Sequence, residues 1–444
     1  MTTMPAQAAP LLIEVQLPEE RARSTQQSRL RALDMALEIG LLVLLIAAVM
    51  SFGAVQLWGV FGIRLGAVLL FFLWSARQII SGELEFPSTF LPLVLFGLWV
   101  AAQWIFTITV YRYQTGQDWL TYAAYLFMML PAATIAASPE RLRRFLITLT
   151  AFGALLAIFA MIQDVSGTKA IYWTFQPSSI AAQIYGPFVN RNHYAGLMEM
   201  LAPLPFLLCL SQRPERRLPL LGAGLLMALS VFLCRSRGGI AALGAELVFI
   251  AVFLSRIRHR AKSFAAIGVI VAVLAVLIVW VGSDPVVHRL TDMKDANRAS
   301  IFRDTLHMWW SRPIIGYGSG TFALVYPTFQ SFVVDSVINH AHNDYLELLS
   351  ETGLIGTGLV LWFLALVYRK TSKQLRPGAR SSDSAGLIAV LAGITGLLVH
   401  SLVDFNFHIP SNAALFLVMC AIAVSASPEK TGINTLSRSS RGTE

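Results

Sequence analysis

Charge is scarce in this sequence. Asp, Glu, Lys and Arg make up 13% of its 444 residues, against roughly 25% in soluble domains. Apolar residues make up 56%, with a mean hydropathy of +0.63. That much apolar surface has too little charge to cover it in water, which excludes a string of soluble domains. Cysteine is almost missing: Cys209, Cys234 and Cys420 fall in or at the ends of apolar runs and form no CxxC pair, so neither a disulfide framework nor a cysteine-ligated metal is encoded. Acidic residues are outnumbered 25 to 34 by basic ones, for a net charge of +9. In a soluble chain that excess would suggest nucleic acid; in an apolar chain its distribution between loops carries the information, and no nucleic-acid partner is expected. A cleavable signal is lacking too. Residues 1–31 are polar, contain Pro5, Pro10 and Pro18, and end in Arg21, Arg23, Arg29 and Arg31 before an apolar run too long for a signal peptide.

What fills the chain is apolar runs about 20 residues long, the length that crosses about 30 Å of hydrocarbon. Twelve are legible, near 36–54, 60–79, 88–109, 119–137, 145–163, 192–210, 218–235, 238–255, 263–282, 353–369, 385–403 and 412–426. They imply an all-α integral membrane protein with about 12 transmembrane helices. Short Lys/Arg-rich loops stay cytoplasmic, and the clusters are Arg141, Arg143 and Arg144; Arg213, Arg216 and Arg217; Arg256, Arg258, Arg260 and Lys262; and Arg369, Lys370, Lys373, Arg376 and Arg380. With an even number of spans and the N-terminus inside, all of them fall on one side. The organisation is then a cytoplasmic tail (1–32), nine spans (33–282), a large extracytoplasmic loop (283–352), three spans (353–426) and a second cytoplasmic tail (427–444).

Several polar groups converge on the outer face in this topology. Residues 298–312 read as an amphipathic interfacial helix with Arg298 near its start and Arg303 within it, stopped by Pro313. Residues 339–356 open on a His-rich turn, His340 and His342, followed by a helix for which Asn343 or Asp344 is the N-cap. A neutral imidazole there could take a proton from a hydroxyl, the HxH pair with Asp335 or Asp344 could hold a metal, or the pair could be structural. Asn190 and Arg191 start the sixth span, Arg237 sits in the turn between the seventh and eighth, Arg64 lies at the outer end of the second, and Asp404 follows the eleventh. Arginines at the membrane edge are costly and pair with something; several on one face without matching acids favour an anionic ligand.

Four stretches together resemble a known family: PFVNRNHYAGLMEM (187–200), SRGG (236–239), NRASIFRDTLHMWWSRPIIGYGSGTF (297–322) and HAHNDYLELLSETGLIG (340–356). In order and spacing, over 187–356, they are similar to the O-antigen ligase and O-antigen polymerase superfamily. The resemblance implies a GT-C-like fold with one large periplasmic loop containing short helices, in the bacterial inner membrane. It implies a metal-independent, inverting glycosyltransferase without a cofactor. The donor would be a glycan on undecaprenyl diphosphate and the acceptor a glycan or lipid A core, among membrane lipids and with polysaccharide assembly or export proteins as candidate partners. The family's loop histidine falls on His342 as general base, with His340 as competitor; its diphosphate-binding arginines fall on Arg237 and Arg298, and less directly on Arg191, with Arg303 and Arg64 as further candidates. Asn343, Glu351, Asn190 and Asp404 are supporting positions. Asn297 and Phe302 stand where Gly and Trp are expected around Arg298. The motifs do not separate polysaccharide polymerase from ligation onto lipid A core, and the SLVDFNFHIP ending leans toward exopolysaccharide assembly. A lipid or polysaccharide transporter is the alternative of another class, although the two halves show no internal similarity. A scaffold for an assembly complex is the third, and it expects no effect of replacing Arg237 or Arg298.

Overall fold

A computed structural model describes residues 18–177, 182–258, 293–334, 337–375 and 381–426. Among them the chain is helical, with isolated bridges and no sheet. The first half contains α1 (Pro18–Met50), α2 (Leu57–Ser81), α3 (Leu91–Ile105), α4 (Arg112–Ala136) and α5 (Pro139–Val165). The second contains α6 (Arg191–Leu201), α7 (Pro203–Leu208), α8 (Pro214–Leu233), α9 (Arg237–Arg258), α10 (Met293–Ser311), α11 (Asp344–Gln374), α12 (Ser381–His400) and α13 (Pro410–Ser425). Among the described residues seven helices are long and apolar enough to cross a membrane, α1 to α5, α8 and α11, and two more, Ala385–His400 and Pro410–Ser425, are apolar but shorter. The expected span at 263–282 and the first ten residues of the loop, 283–292, lie outside the described residues, as does Asp335.

Large side chains such as Val43, Phe72, Leu98 and Leu155 are exposed on these helices. In water such a surface would be a defect; against lipid tails it is the expected exterior. The core is carried by α12 and α13, whose side chains are buried on nearly every face. At one end of the bundle Arg77 and Arg141 share Asp34, and Arg144 pairs with Glu38.

Three departures from the hydropathy reading have local causes. The expected span 192–210 is broken into α6 and α7 at Ala202, because Pro203 and Pro205 remove helical donors. Helix α4 starts at Arg112, a full two turns before the apolar run, since its first turns present Gln114, Gln117 and Asp118 to the interior. Helix α11 starts at Asp344, as the capping pattern predicts, with Asn343 Oδ1 accepting from the Tyr345 and Leu346 amides. It kinks at Gly353, whose φ of 66° and ψ of −169° belong to glycine alone.

That kink docks the loop. Four backbone bonds join it to 313–318: Tyr317 N–H to Ser350 O, Gly318 N–H to Glu351 O, Leu354 N–H to Pro313 O and Ile355 N–H to Ile314 O. The PxxGxG and ExGxxG runs of the sequence are the two sides of this clamp. Ser319 extends it to α4 by donating to Asp118 Oδ2. The helix expected at 298–312 is present as α10, which begins at Met293 rather than near Arg298 and ends before Pro313. Its Ile301 and Met308 pack with Phe322, Tyr326 and Ala341 in a small core of their own, while Trp310 is 73% exposed.

Candidate active site

The loop, the N-terminal ends of α2, α4 and α6, and the turn between α12 and α13 line a cavity of about 960 Å³. Its walls include Arg64, Gln117, Asp118, Asn190, His193, His340, His342, Phe405 and His408. Residues more than 340 positions apart in the chain thus face one space.

His342 is one of two titratable clusters at its edge. Its backbone is left-handed, φ 52°, a strained state for a side chain with a β-carbon that the surrounding structure must hold. The ring is one-third exposed, and Nδ1 is turned inward, 4.0 Å from Asp404 Oδ1. Burial pushes the imidazole below its ordinary value; Asp404 opposes this, and Arg298 adds to it. His342 is therefore neutral at physiological pH, with Nε2 the nitrogen left to act. Asp404 is 1% exposed. Burial alone would raise its carboxyl, but His193, His400, the Phe405 amide and His342 outweigh that and hold it below the usual carboxylate range. His193 Nε2 lies 3.9 Å from Oδ1 and His400 Nε2 3.9 Å from Oδ2. One buried carboxylate thus faces three imidazoles.

His340 belongs to the other cluster. Its Nδ1 lies 2.9 Å from Glu347 Oε1, and its ring stacks on Phe405 at 4.3 Å. His408 bridges two acids, with Nδ1 3.1 Å from Asp344 Oδ1 and Nε2 3.1 Å from Glu347 Oε1. Burial would lower His408, but Glu347 and the hydrogen bond to Asp344 prevail and its pKa is pushed up to about 10. Among the described residues, His340, Glu347 and His408 form the group whose ligating atoms converge, within 4.8 Å of one another. An imidazolium has no lone pair to offer a metal, and Glu347 already accepts from the Ala341 amide and lies 2.9 Å from His340 Nδ1 and 3.1 Å from His408 Nε2. The set fits a hydrogen-bonded charge cluster better than a metal centre.

The remaining sequence candidates divide between wall and support. Arg64 is in the cavity wall, its guanidinium fixed by Gln117 Oε1 at 2.7 Å, Gln117 O at 2.6 Å and Thr121 Oγ1 at 2.8 Å. Asn190 is a wall residue and also the N-cap of α6, accepting from the Asn192 amide. Arg298 is half-buried on α10. Asn343 ties the loop to the turn after α12 by donating to Leu402 O. Glu351 is buried and accepts from the Phe322 amide, beneath the loop rather than in the wall. Arg303 reaches Ser331 and Asp304, 61% exposed and away from the cavity. Arg191 is half-buried and Arg237 exposed at the starts of α6 and α9, and neither lines the cavity. Sequence reading missed His193, His408, Gln117, Asp118 and Glu199. Only His193 carried a signal, its place beside Asn190 and Arg191.

A polytopic helical membrane protein with a capped, polar, His- and Arg-lined cavity is the class that fold and site define. Residues 222–363 match the family model described as O-antigen ligase. The chain is also similar to the exopolysaccharide production protein ExoQ of Rhizobium meliloti (strain 1021), 23% identical over 419 residues that cover 86% of this chain and 92% of that protein. Both likenesses support the resemblance to the O-antigen ligase and polymerase superfamily that the motifs carry.

Proposed function

We propose that the protein transfers glycan from an undecaprenyl-diphosphate donor to a hydroxyl on a second glycan, extending a polysaccharide at the periplasmic face of the inner membrane, with both termini cytoplasmic and about 12 spans in all. Ligation onto lipid A core is the variant reading. The observation that carries it is the neutral His342, held in a strained turn against buried Asp404, in a cavity whose wall also bears Arg64. Similarity to an exopolysaccharide production protein favours polymerisation over ligation.

The donor is already activated by its diphosphate, so binding, orientation and proton removal are what the protein supplies. His342 Nε2 takes the acceptor's hydroxyl proton as that oxygen bonds to the anomeric carbon. The carbon–oxygen bond to the diphosphate breaks, its electron pair leaves with the diphosphate, and the anomeric configuration inverts. No metal takes part; Arg64 in the cavity wall and Arg298 close to His342 balance the charge growing on the leaving group. Asp404 stabilises the imidazolium that forms. Asn190, Asn343 and Glu351 hold the framework. Incubating the purified protein with lipid-linked glycan, with and without lipid A core, tests this: longer glycan on the diphosphate lipid is expected, glycan on lipid A core would select the ligase variant, and no transfer with either would refute it.

A further inference from the structure

Behind Asp404 the polar chain continues into the bundle. His400, 1% exposed, donates from or accepts at Nδ1 2.8 Å from Glu199 Oε1, and Glu199 is completely buried on α6. The other nitrogen, Nε2, faces Asp404 Oδ2 at 3.9 Å. An imidazole with a carboxylate on each side has the setting of a cation, and an ion pair in so apolar a place is costly unless it has a use.

The packing is shaped around this pair. A β-carbon at Gly238 would lie 2.4 Å from His400 Cδ2, and one at Gly239 would lie 3.0 Å from Glu199 Oε1. The two glycines of the SRGG turn are thus what lets the start of α9 close over the pair. His342 Nδ1, Asp404 Oδ2, His400 Nε2 and Glu199 Oε2 are all buried without a hydrogen-bond partner among the described residues. They belong to successive neighbours, from His342 at the cavity through Asp404 and His400 to Glu199. Buried polar atoms are seldom left so.

We propose that Glu199 and His400 are positioning residues for proton transfer: a buried ion pair that holds Asp404 as a carboxylate against His342 and balances its charge, so that the base is neutral before the reaction. This rests on the reading of His342 as base. The charged and titratable groups acting on His400 are Glu199 and His193 on α6, Asp344 at the start of α11 and Asp404 in the turn, with Glu246 on α9 acting on Glu199; those acting on His342 are Asp404, Arg298, His340, Glu347 and His193. With His400 replaced by a neutral side chain, the carboxylate of Asp404 is balanced only by His342 and His193. The His342 imidazolium is then favoured, and the base is protonated at a higher pH.

The test uses the full chain in lipid nanodiscs and two readouts over about pH 5 to 9, a range that brackets an ordinary histidine. One is the initial rate of glycan transfer; the other is the rate of diethyl pyrocarbonate labelling of His342, followed by mass spectrometry, which needs no turnover. In H400Q both midpoints are expected to move up by about one pH unit, so that on the acid side rates fall about tenfold while alkaline rates change little. E199Q, which keeps the ring, moves them the same way by less, and serves where H400Q fails to insert. Labelling midpoints equal to wild type in both variants overturn the proposal. H342A separates the two readings: full transfer by H342A refutes the base itself, whereas loss of transfer in H342A with unmoved midpoints in H400Q and E199Q refutes only the pair.

Discussion

Asp404→Asn removes one charge and almost no volume, and the geometry gives its size. When His342 takes the proton, an imidazolium stands 4.0 Å from a carboxylate that is 1% exposed. At an effective dielectric of about 20, unit charges at that distance attract by ~4 kcal/mol. The His342 ring is one-third exposed, and solvent screening cuts that attraction to about half. A loss of ~2 kcal/mol at the transition state corresponds to a fall of about 30-fold in kcat. Asp404 does not line the cavity, so KM should hold. The sign of the pH effect is fixed as well. Removing an anion lowers the His342 pKa further, so the acid limb of the rate profile moves to lower pH even as the maximum falls. Steady-state transfer rates by D404N across pH measure both. A variant within twofold of wild type at every pH would show that the carboxylate does not support the base.

Other perturbations have equally definite outcomes. Arg64→Lys keeps the charge but loses the fork held by Gln117 and Thr121; donor KM should rise about tenfold with kcat within a few-fold, and an unchanged KM would remove Arg64 from donor binding. His408 has a folded pKa of about 10, above its unfolded value of about 6.5. Its contribution to stability is thus complete below about pH 6.5 and is lost as pH rises through the folded value. Thermal unfolding should therefore fall between neutral pH and about pH 10, less steeply in H408Q; parallel curves for the two proteins would contradict the assignment. Gly353→Ala places a β-carbon 2.2 Å from Ile314 O, on a backbone that itself costs about 1–3 kcal/mol for any other residue. Lower yield and a lower melting temperature are expected, and a wild-type melt would show that the clamp tolerates opening.

Apolar runs marked most of the helices because burial in lipid needs no partner to be recognised. The start of α4 was hidden for the opposite reason: Gln114, Gln117 and Asp118 are polar because they face a cavity, and hydropathy cannot distinguish that from a loop. The cap at Asn343 was legible because it is local, satisfied by amides two and three residues on. His342 and Arg298 were legible as words of a motif, and the loop's PxxGxG and ExGxxG runs as neighbours in sequence, though not as partners across a clamp. The pairing of Glu199 with His400, 201 residues apart, could not be read at all. His400 looked like a lone histidine in an apolar helix, and only the fold gives it a carboxylate on each side. His408 was passed over in the same way: nothing in the local sequence shows the two acids that charge it.

The most direct measurement is single-turnover glycan transfer by His342→Ala, reconstituted in lipid with its insertion checked and donor binding measured separately. Loss of a general base should slow transfer by about 10²- to 10⁴-fold while the donor still binds, and H340A should lose far less. Wild-type transfer by H342A, or an equal collapse in H340A alone, would contradict the assignment of the base and with it the central claim.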